Sequence, residues 1–386
     1  MSAPWPHGVL PTEPVGSLPR PSSLQRAVLG LGAGLVTEQE LLAEQDRAVR
    51  DTIERLAATG SPVVSDGEQR RSSFAAYPLG GSAHPGGVTE GPVFAVFADG
   101  HHRVIPRLTS GPFRFRSWAA HDVAAAREIT ELPLKQAVVS PSMLSLMLPD
   151  EGLGDYARGD FLNDVVEGCA EDILRCFDAG ASRVSIDFTE GRLALRRDVR
   201  APWAGPGALA GFIELINRVL DRLPAERRGA VGVHTCPGND HDSSHSADVD
   251  YAELLPELFQ IEAGYFLIEA ASEPQPDRVA RLAGEQLRRR AEAGRPAPRV
   301  LLGVTKPGNP KLETAEEVRE QLVRAARFIP AELLGSTDDC GFSPYLVDEK
   351  PRHGSPDFAR EVAFAKVAAR VHGTLLASEE LSGGAA

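Results

Sequence analysis

The stretch VGVHTCPGND, Val231–Asp240, sets a histidine and a cysteine two residues apart straight after an apolar run. Imidazole and thiolate are both zinc ligands, and further donors follow later apolar runs: Glu269 after YFLI and Cys340 within STDDCGF. His234, Cys236, Glu269 and Cys340 form a coherent set for Zn2+, because two soft thiolates disfavour Mg2+ and Ca2+. The donors are scattered along the chain, unlike the paired local spacings of a zinc finger, and the H-E-x-x-H of a zinc peptidase is absent. Taken singly, each has another reading. His-x-Cys can be a satisfied pair at a strand end, and Cys340 a buried turn residue.

Other apolar runs also end in reactive groups. SPVV delivers Asp66 and Glu68, RVSI delivers Asp187, Thr189 and Glu190, and Asp338 and Asp339 precede Cys340. In a parallel barrel the C-terminal strand ends share one face, where active sites are built. His241 and His245, in NDHDSSHSADVD, follow the candidate ligands, and either could carry a proton. Cys169 and Cys176 sit seven apart in one predicted helix and are expected in the core. His101 and His102 fall at a predicted turn and are expected in solvent.

The elements that must position these groups follow a strand–helix rhythm from Ala120 onward: KQAVVSPS, SRVSIDF, GAVGVHTC, YFLIEAAS, RVLLGVTKPG and LLGS as strands, with amphipathic helices between. Strands apolar throughout and alternating with helices predict a parallel sheet covered by helices. The number of units predicts an α/β fold of the (β/α)8 TIM-barrel type, with an N-terminal extension and a β-hairpin excursion. No G-x-G-x-x-G opens a helix after the first strand, which disfavours a doubly wound dinucleotide fold. Residues 1–378 are expected to form one barrel domain, residues 80–118 a hairpin excursion turning at Asp99-Gly100, and residues 379–386 a disordered tail. Helix signals include Ser22 and Ser23 as N-caps, Gly60 as a stop, and a capping box at Thr314 and Glu317.

A net charge of −13 argues against a nucleic-acid partner, whose phosphates would be repelled. No apolar run approaches the ~20 residues that span a bilayer, and the Pro-rich N-terminus lacks a signal-peptide pattern, so a cytoplasmic protein without a membrane partner is expected. Four cysteines in 386 residues make no disulfide framework.

The segments TEPVGSLPRP, SDGEQRRSSF, SIDFTEGRLALRRD, GVHTCPGND, FLIEAASE and GSTDDCGFSPY together resemble the cobalamin-independent methionine synthase family. They fall in the family's order over nearly the whole chain, whose length is similar to the short, single-barrel form equivalent to the catalytic C-terminal half of the long enzymes. The resemblance implies a zinc-dependent methyltransferase of methionine biosynthesis that alkylates homocysteine, or a similar thiol amino acid, through a zinc-bound thiolate. By position it implies that His234, Cys236, Glu269 and Cys340 hold zinc, that Val15, Gly16 and Ser17 hold the amino acid through backbone and hydroxyl, and that Glu68 and Asp187 take its α-ammonium group. Two departures fall on the methyl-donor side. The loop GVTKPGNPKLE carries Gly308 where the family has a proton-donating histidine, and DFTEGRLAL replaces the family's D-E-P-A-L. A methyl-folate, a methyl-corrinoid protein or another electrophile therefore remain open as donors, and His241, His245 or Glu190 are candidates for the missing acid. An epoxyalkane–coenzyme M transferase-like enzyme is an alternative. It would need arginine for a sulfonate, with Arg20, Arg70, Arg71 and Arg196 available, and would have no use for the Glu68/Asp187 pair. A non-catalytic zinc- or corrinoid-partner barrel is a third reading, opposed by the intact ligand set.

Overall fold

The structure, a computed structural model, describes residues 9–80, 88–149, 152–343, 345, 347 and 352–383. Four short strands come first, β1 (Val88–Thr89), β2 (Val93–Val96), β3 (His102–Val104) and β4 (Arg107–Leu108). Six longer ones follow: β5 (Leu134–Val139), β6 (Ala181–Asp187), β7 (Val231–Thr235), β8 (Tyr265–Ile268), β9 (Arg299–Gly303) and β10 (Leu334–Thr337). The six form one parallel sheet in the order β10-β9-β8-β7-β6-β5. At its two edges Thr12 bridges to Ser336 and Val64 to Leu134, both parallel. The flanking segments meet each other: Leu18 N–H donates to the Gly67 carbonyl at 3.1 Å and Ser65 Oγ to the Gly16 carbonyl at 3.1 Å. This is the expected (β/α)8 arrangement with two staves reduced to single bridges. Part of the expected N-terminal extension is thus itself a stave.

A strand turns alternate side chains to opposite faces. Phe266, Ile268, Val300 and Leu302 join the large outer core beneath the helices, whereas Tyr265, Leu267 and Leu301 form a separate inner cluster with Val15. On β7 the inward parity includes Gly232, where a Cβ would lie 2.4 Å from the Tyr265 ring. The same parity carries His234 and Cys236, so the two-residue spacing aims both at the barrel axis. The helices that close the outer layer include Arg158–Asp178, Ala208–Asp221, Pro276–Glu292 and Ala315–Ala325. Cys169 and Cys176 are buried on the first of these, as expected.

β2 and β3 pair antiparallel across the expected turn at Asp99-Gly100, while residues 81–87 of the expected excursion lie outside the described residues. Between the expected N-caps at Ser22 and Ser23 and the stop at Gly60 lie two helices, Ser22–Gly32 and Glu38–Ala58. Thr37 and Glu40 cap the second helix reciprocally, while Ser22 and Ser23 lie within the first turn of the first helix and do not cap it. Gly60 stops that second helix with φ of 78°. The last helix runs Pro356–Gly383, so residues 379–383 are helical where a disordered tail was expected; residues 384–386 lie outside the described residues.

The capping box at Thr314 and Glu317 forms as expected. Thr314→Ala removes its acceptor, and urea unfolding should show a loss of about 1 kcal/mol with metal binding unchanged.

Candidate metal and substrate site

His234, at the end of β7, has no hydrogen-bond partner at either ring nitrogen although it is buried. Such a ring is costly unless something fills its donor and acceptor positions. Its ring lies beside Cys236 and Cys340, and the ligand atoms of the three residues all lie within 4.8 Å of one another. The two Sγ atoms are 3.0 Å apart, and no disulfide joins them. The contact with Cys340, then burial, pushes the Cys236 thiol well up from its ordinary value. A cation is what would turn such a buried pair into thiolates. The donor set therefore fits a soft or borderline divalent metal.

Glu269 ends β8 on the inward parity of Tyr265 and Leu267 but does not belong to that tight group. Burial, then Asp339, pushes its carboxyl well above the usual range. Its loop is pinned from β10: the Asp339 carboxylate accepts from the backbone N–H groups of Ala270 and Ala271 at 2.9 Å and of Ser272 at 2.6 Å. Asp339 thus fixes the chain that follows Glu269 while standing next to Cys340. It could be seen in the sequence only as one of two acidic residues before a cysteine.

The same narrow cavity, of about 50 Å³, is lined by His234 and Cys340 and by Val15, Ser17, Glu68 and Asp187, the last paired in register with His234 on the neighbouring strand. Glu68 and Asp187 are buried, and each keeps one carboxylate oxygen without a partner. Burial pushes Asp187 up to about 7 and raises Glu68 as well. Glu68 is held in the left-handed region, φ 56°, a costly conformation for a residue with a side chain. The conformation is fixed from both sides, with Asp66 Oδ1 accepting from Glu68 N–H at 3.0 Å and Arg20 donating to the Glu68 carbonyl at 2.5 Å. Gly16 leaves room for this carboxylate, since a Cβ there would lie 2.7 Å from Glu68 Oε1. Ser17 is tied to the loop of Cys340: its carbonyl accepts from Phe342 N–H at 2.9 Å, and its Oγ accepts from Ser343 N–H at 3.3 Å.

The remaining wall is aromatic: Phe74, Phe94, Phe97 and Tyr345. Phe94 and Phe97 come from the β2–β3 hairpin, which leans over the site and is clasped to the loop after β7. Ala98 N–H donates to the Ser244 carbonyl at 2.9 Å, and Arg103 Nε to Asp240 Oδ2 at 2.6 Å. His101 belongs to this clasp. It lies 3.2 Å from Asp240 and stacks on Phe97, whereas its neighbour His102 is exposed as expected. The hairpin had no chemical signal in the sequence beyond its turn.

The three candidate proton carriers separate. His245 lines the cavity; burial, then Arg192 and Arg196, pushes it down to about 3, so the ring is neutral near pH 7. Ser246 Oγ donates to the Pro237 carbonyl, so the ring proton sits on Nδ1, 2.9 Å from that hydroxyl, and Nε2 is left as an acceptor. His241 sits in the clasp, with Nε2 3.2 Å from Arg103, and lines neither cavity at the metal cluster. Glu190, pushed up to about 7 by burial, is turned to the hydroxyls of Ser140 and Ser142, away from the cavity wall.

A second, wider cavity of about 390 Å³ lies on the other side of the cluster and shares Cys340, Gly238 and Asn239 with the first. Glu269, Asp242, Glu273, Lys306 and Asn309 line it, as does Gly308.

No family model matches the chain. A 5-methyltetrahydropteroyltriglutamate–homocysteine methyltransferase of Mycobacterium tuberculosis is 26% identical over 361 residues, 92% of this chain and 43% of that protein. A methionine synthase of Sulfolobus acidocaldarius is 24% identical over 380 residues, covering 97% of this chain and 94% of that one. The chain is similar in sequence to proteins named as methionine synthases or homocysteine methyltransferases. It spans less than half of the long mycobacterial enzyme and nearly all of the short archaeal protein. In fold it is similar to a B12-independent methionine synthase from Shewanella sp. W3-18-1, solved in complex with selenomethionine, with a TM-score of 0.71, 21% identity, and coverage of 97% of this chain and 99% of that one. Among the described residues no helix is long and apolar enough to cross a membrane.

Gly303 tests the geometry. A Cβ there would lie 2.1 Å from Asp339 Oδ1 and 2.7 Å from its Cα. Gly303→Ala should displace Asp339, loosen the Glu269 loop and lower the metal retained through dialysis, read as metal per chain by elemental analysis, while far-ultraviolet circular dichroism stays unchanged.

Proposed function

We propose that this protein is a zinc-dependent thiol alkyltransferase that methylates homocysteine or a similar thiol amino acid. The observation that carries the reading is the meeting at one cavity of two buried carboxylates, each with an unpartnered oxygen, and a largely buried His–Cys–Cys cluster. The carboxylates call for a cation with hydrogen-bond donors, and an α-ammonium group is one. The cluster calls for a metal that accepts sulfur. A homocysteine side chain joins these two demands in one small molecule.

His234, Cys236 and Cys340 would hold the zinc, with Glu269 as the fourth ligand, close enough to Cys340 for their charges to interact. Zinc bound there would lower the pKa of the substrate thiol while the two cysteine thiolates keep the site electron-rich. Glu68 and Asp187 orient the amino acid, and Val15, Gly16 and Ser17 line its other side. His245 is held neutral by burial and by Arg192 and Arg196, so taking the proton released by the thiol, or passing one to a leaving group, would charge it against its surroundings; Nε2 is suited to accepting a hydrogen bond, not a proton.

The alkyl donor is proposed to approach through the second cavity, so that thiol and electrophile meet at Cys340 from opposite sides, with an effective-molarity gain from holding both. The methyl-folate or methyl-corrinoid protein considered from the sequence would reach the cluster by this route, past Gly308. The coenzyme M alternative loses support. Arg20 is committed to the carbonyls of Ser343 and Glu68, Arg70 to Asp46, Arg71 to Asp122, and Arg196 to Asp198 and Asp248, and among the described residues no arginine lines the thiol cavity.

Cys340→Ser should lose zinc. Glu68→Gln should retain it and bind homocysteine roughly tenfold or more weakly, since a charged hydrogen bond is lost. Visible absorption of the Co2+-substituted protein during homocysteine titration checks both. An unchanged homocysteine affinity in Glu68→Gln would remove its ammonium role, and protein that takes up no metal would remove the whole reading.

A further inference from the structure

Lys135 is a charged residue at the centre of the barrel that the proposed chemistry does not use. It lies on β5, and its side chain is fully buried. A buried ammonium is expensive to maintain, and an apolar residue of similar volume is often as good for stability. Its placement shows what it does to its neighbours. Nζ donates to the Pro14 carbonyl at 2.6 Å and to the Val15 carbonyl at 2.5 Å, with the Glu13 carboxylate 3.8 Å away. Two successive carbonyls are thus drawn toward one cation.

Trans peptide geometry turns this into a statement about the opposite side of the chain. In each planar peptide the carbonyl and the following N–H point in opposite directions. Pulling the carbonyls of Pro14 and Val15 to Lys135 therefore drives the N–H groups of Val15 and Gly16 away from it. Among the described residues those two N–H groups have no hydrogen-bond partner, although Val15 and Gly16 are buried. Successive buried N–H groups aimed the same way form an anion-binding concavity. Val15 lines the thiol cavity, and Ser17, next along, adds its hydroxyl. The cavity thus has a cation-seeking side at Glu68 and Asp187 and an anion-seeking side at residues 15–17.

We propose that Lys135 is a positioning residue that, by gripping two carbonyls from beneath, holds the N–H groups of Val15 and Gly16 toward the α-carboxylate of the substrate. The inference rests on the reading of the cavity as the seat of a thiol amino acid. It assigns Lys135 no contact with substrate or metal. Its charge also reaches Glu68 and Asp187, but its grip on the two carbonyls acts on the carboxylate half of recognition, which distinguishes it from a residue that merely supports the fold.

The test is to titrate the Co2+-substituted wild type, Lys135→Met and Lys135→Gln with homocysteine and with the aminopropanethiol that is homocysteine without its carboxylate. The methionine variant should lose roughly tenfold or more affinity for homocysteine beyond any loss toward the aminothiol, since the aligned donors serve only the carboxylate. In turnover this appears as a raised KM for homocysteine with kcat retained. Lys135→Gln keeps a neutral donor, should lie between, and stands in if the methionine variant does not fold. Equal weakening toward both thiols, or loss of metal, would make Lys135 a structural residue and overturn the proposal, as would unchanged homocysteine binding. A wild type that responds to neither thiol instead overturns the reading of the cavity on which it rests.

Discussion

The site depends on the two-residue repeat of a strand inside a closed ring of strands. Every second side chain must face the axis, and the axis has little volume. On β7 this sends Gly232, His234 and Cys236 inward; on β8 it sends Tyr265, Leu267 and Glu269. The apolar members fill the lower barrel. At the ends of β6, β7 and β8, or just beyond them, the inward members are Asp187, His234, Cys236 and Glu269. One geometric rule thus serves as core below and as chemistry above, and a one-residue slip of any strand would destroy both.

The second organising fact is charge held out of water without full compensation. Glu68, Asp187 and His234 are buried with atoms that bond to nothing in the protein, and Glu68 also bears an unfavourable backbone angle. A folded chain keeps such groups only where the surroundings over-determine them. Here Arg20, Asp66 and the glycine at position 16 do so. The free energy set aside in this way is recovered when ligands arrive, so the empty cavity is already shaped for its occupants.

The sequence brought forward the groups that the structure gathers round one cavity because strand parity and the order of strands translate directly into position. The parallel order, the ring of staves, and the meeting of Cys236 with Cys340 all follow from that translation. What stayed hidden depends on contacts between distant loops. His241 and Glu190 looked like proton carriers because they lie near strand ends, but Arg103 engages one and Ser140 and Ser142 the other. Asp339 and Lys135 act on backbone atoms, and no side-chain pattern announces a carbonyl or an N–H as a partner. The cap of the second helix was missed, although Thr37 and Glu40 form a capping box legible in the sequence. His101 was read as a solvated turn residue because a local pattern cannot show that the hairpin folds back onto the loop after β7.

The clasped hairpin bears on traffic. Phe94 and Phe97 line the narrow cavity, while the wide one shares with it Cys340, Gly238 and Asn239. On the proposed reading, an amino acid seated beside those rings would not leave past a donor filling the wide mouth, and its exit would wait on the hairpin. Breaking Arg103 from Asp240 and Ala98 from Ser244 would then be a step of the proposed cycle in its own right. The chain would be a machine of two doors, whose order of opening sets the order in which substrates bind and products depart, independently of how fast the bond at sulfur is made.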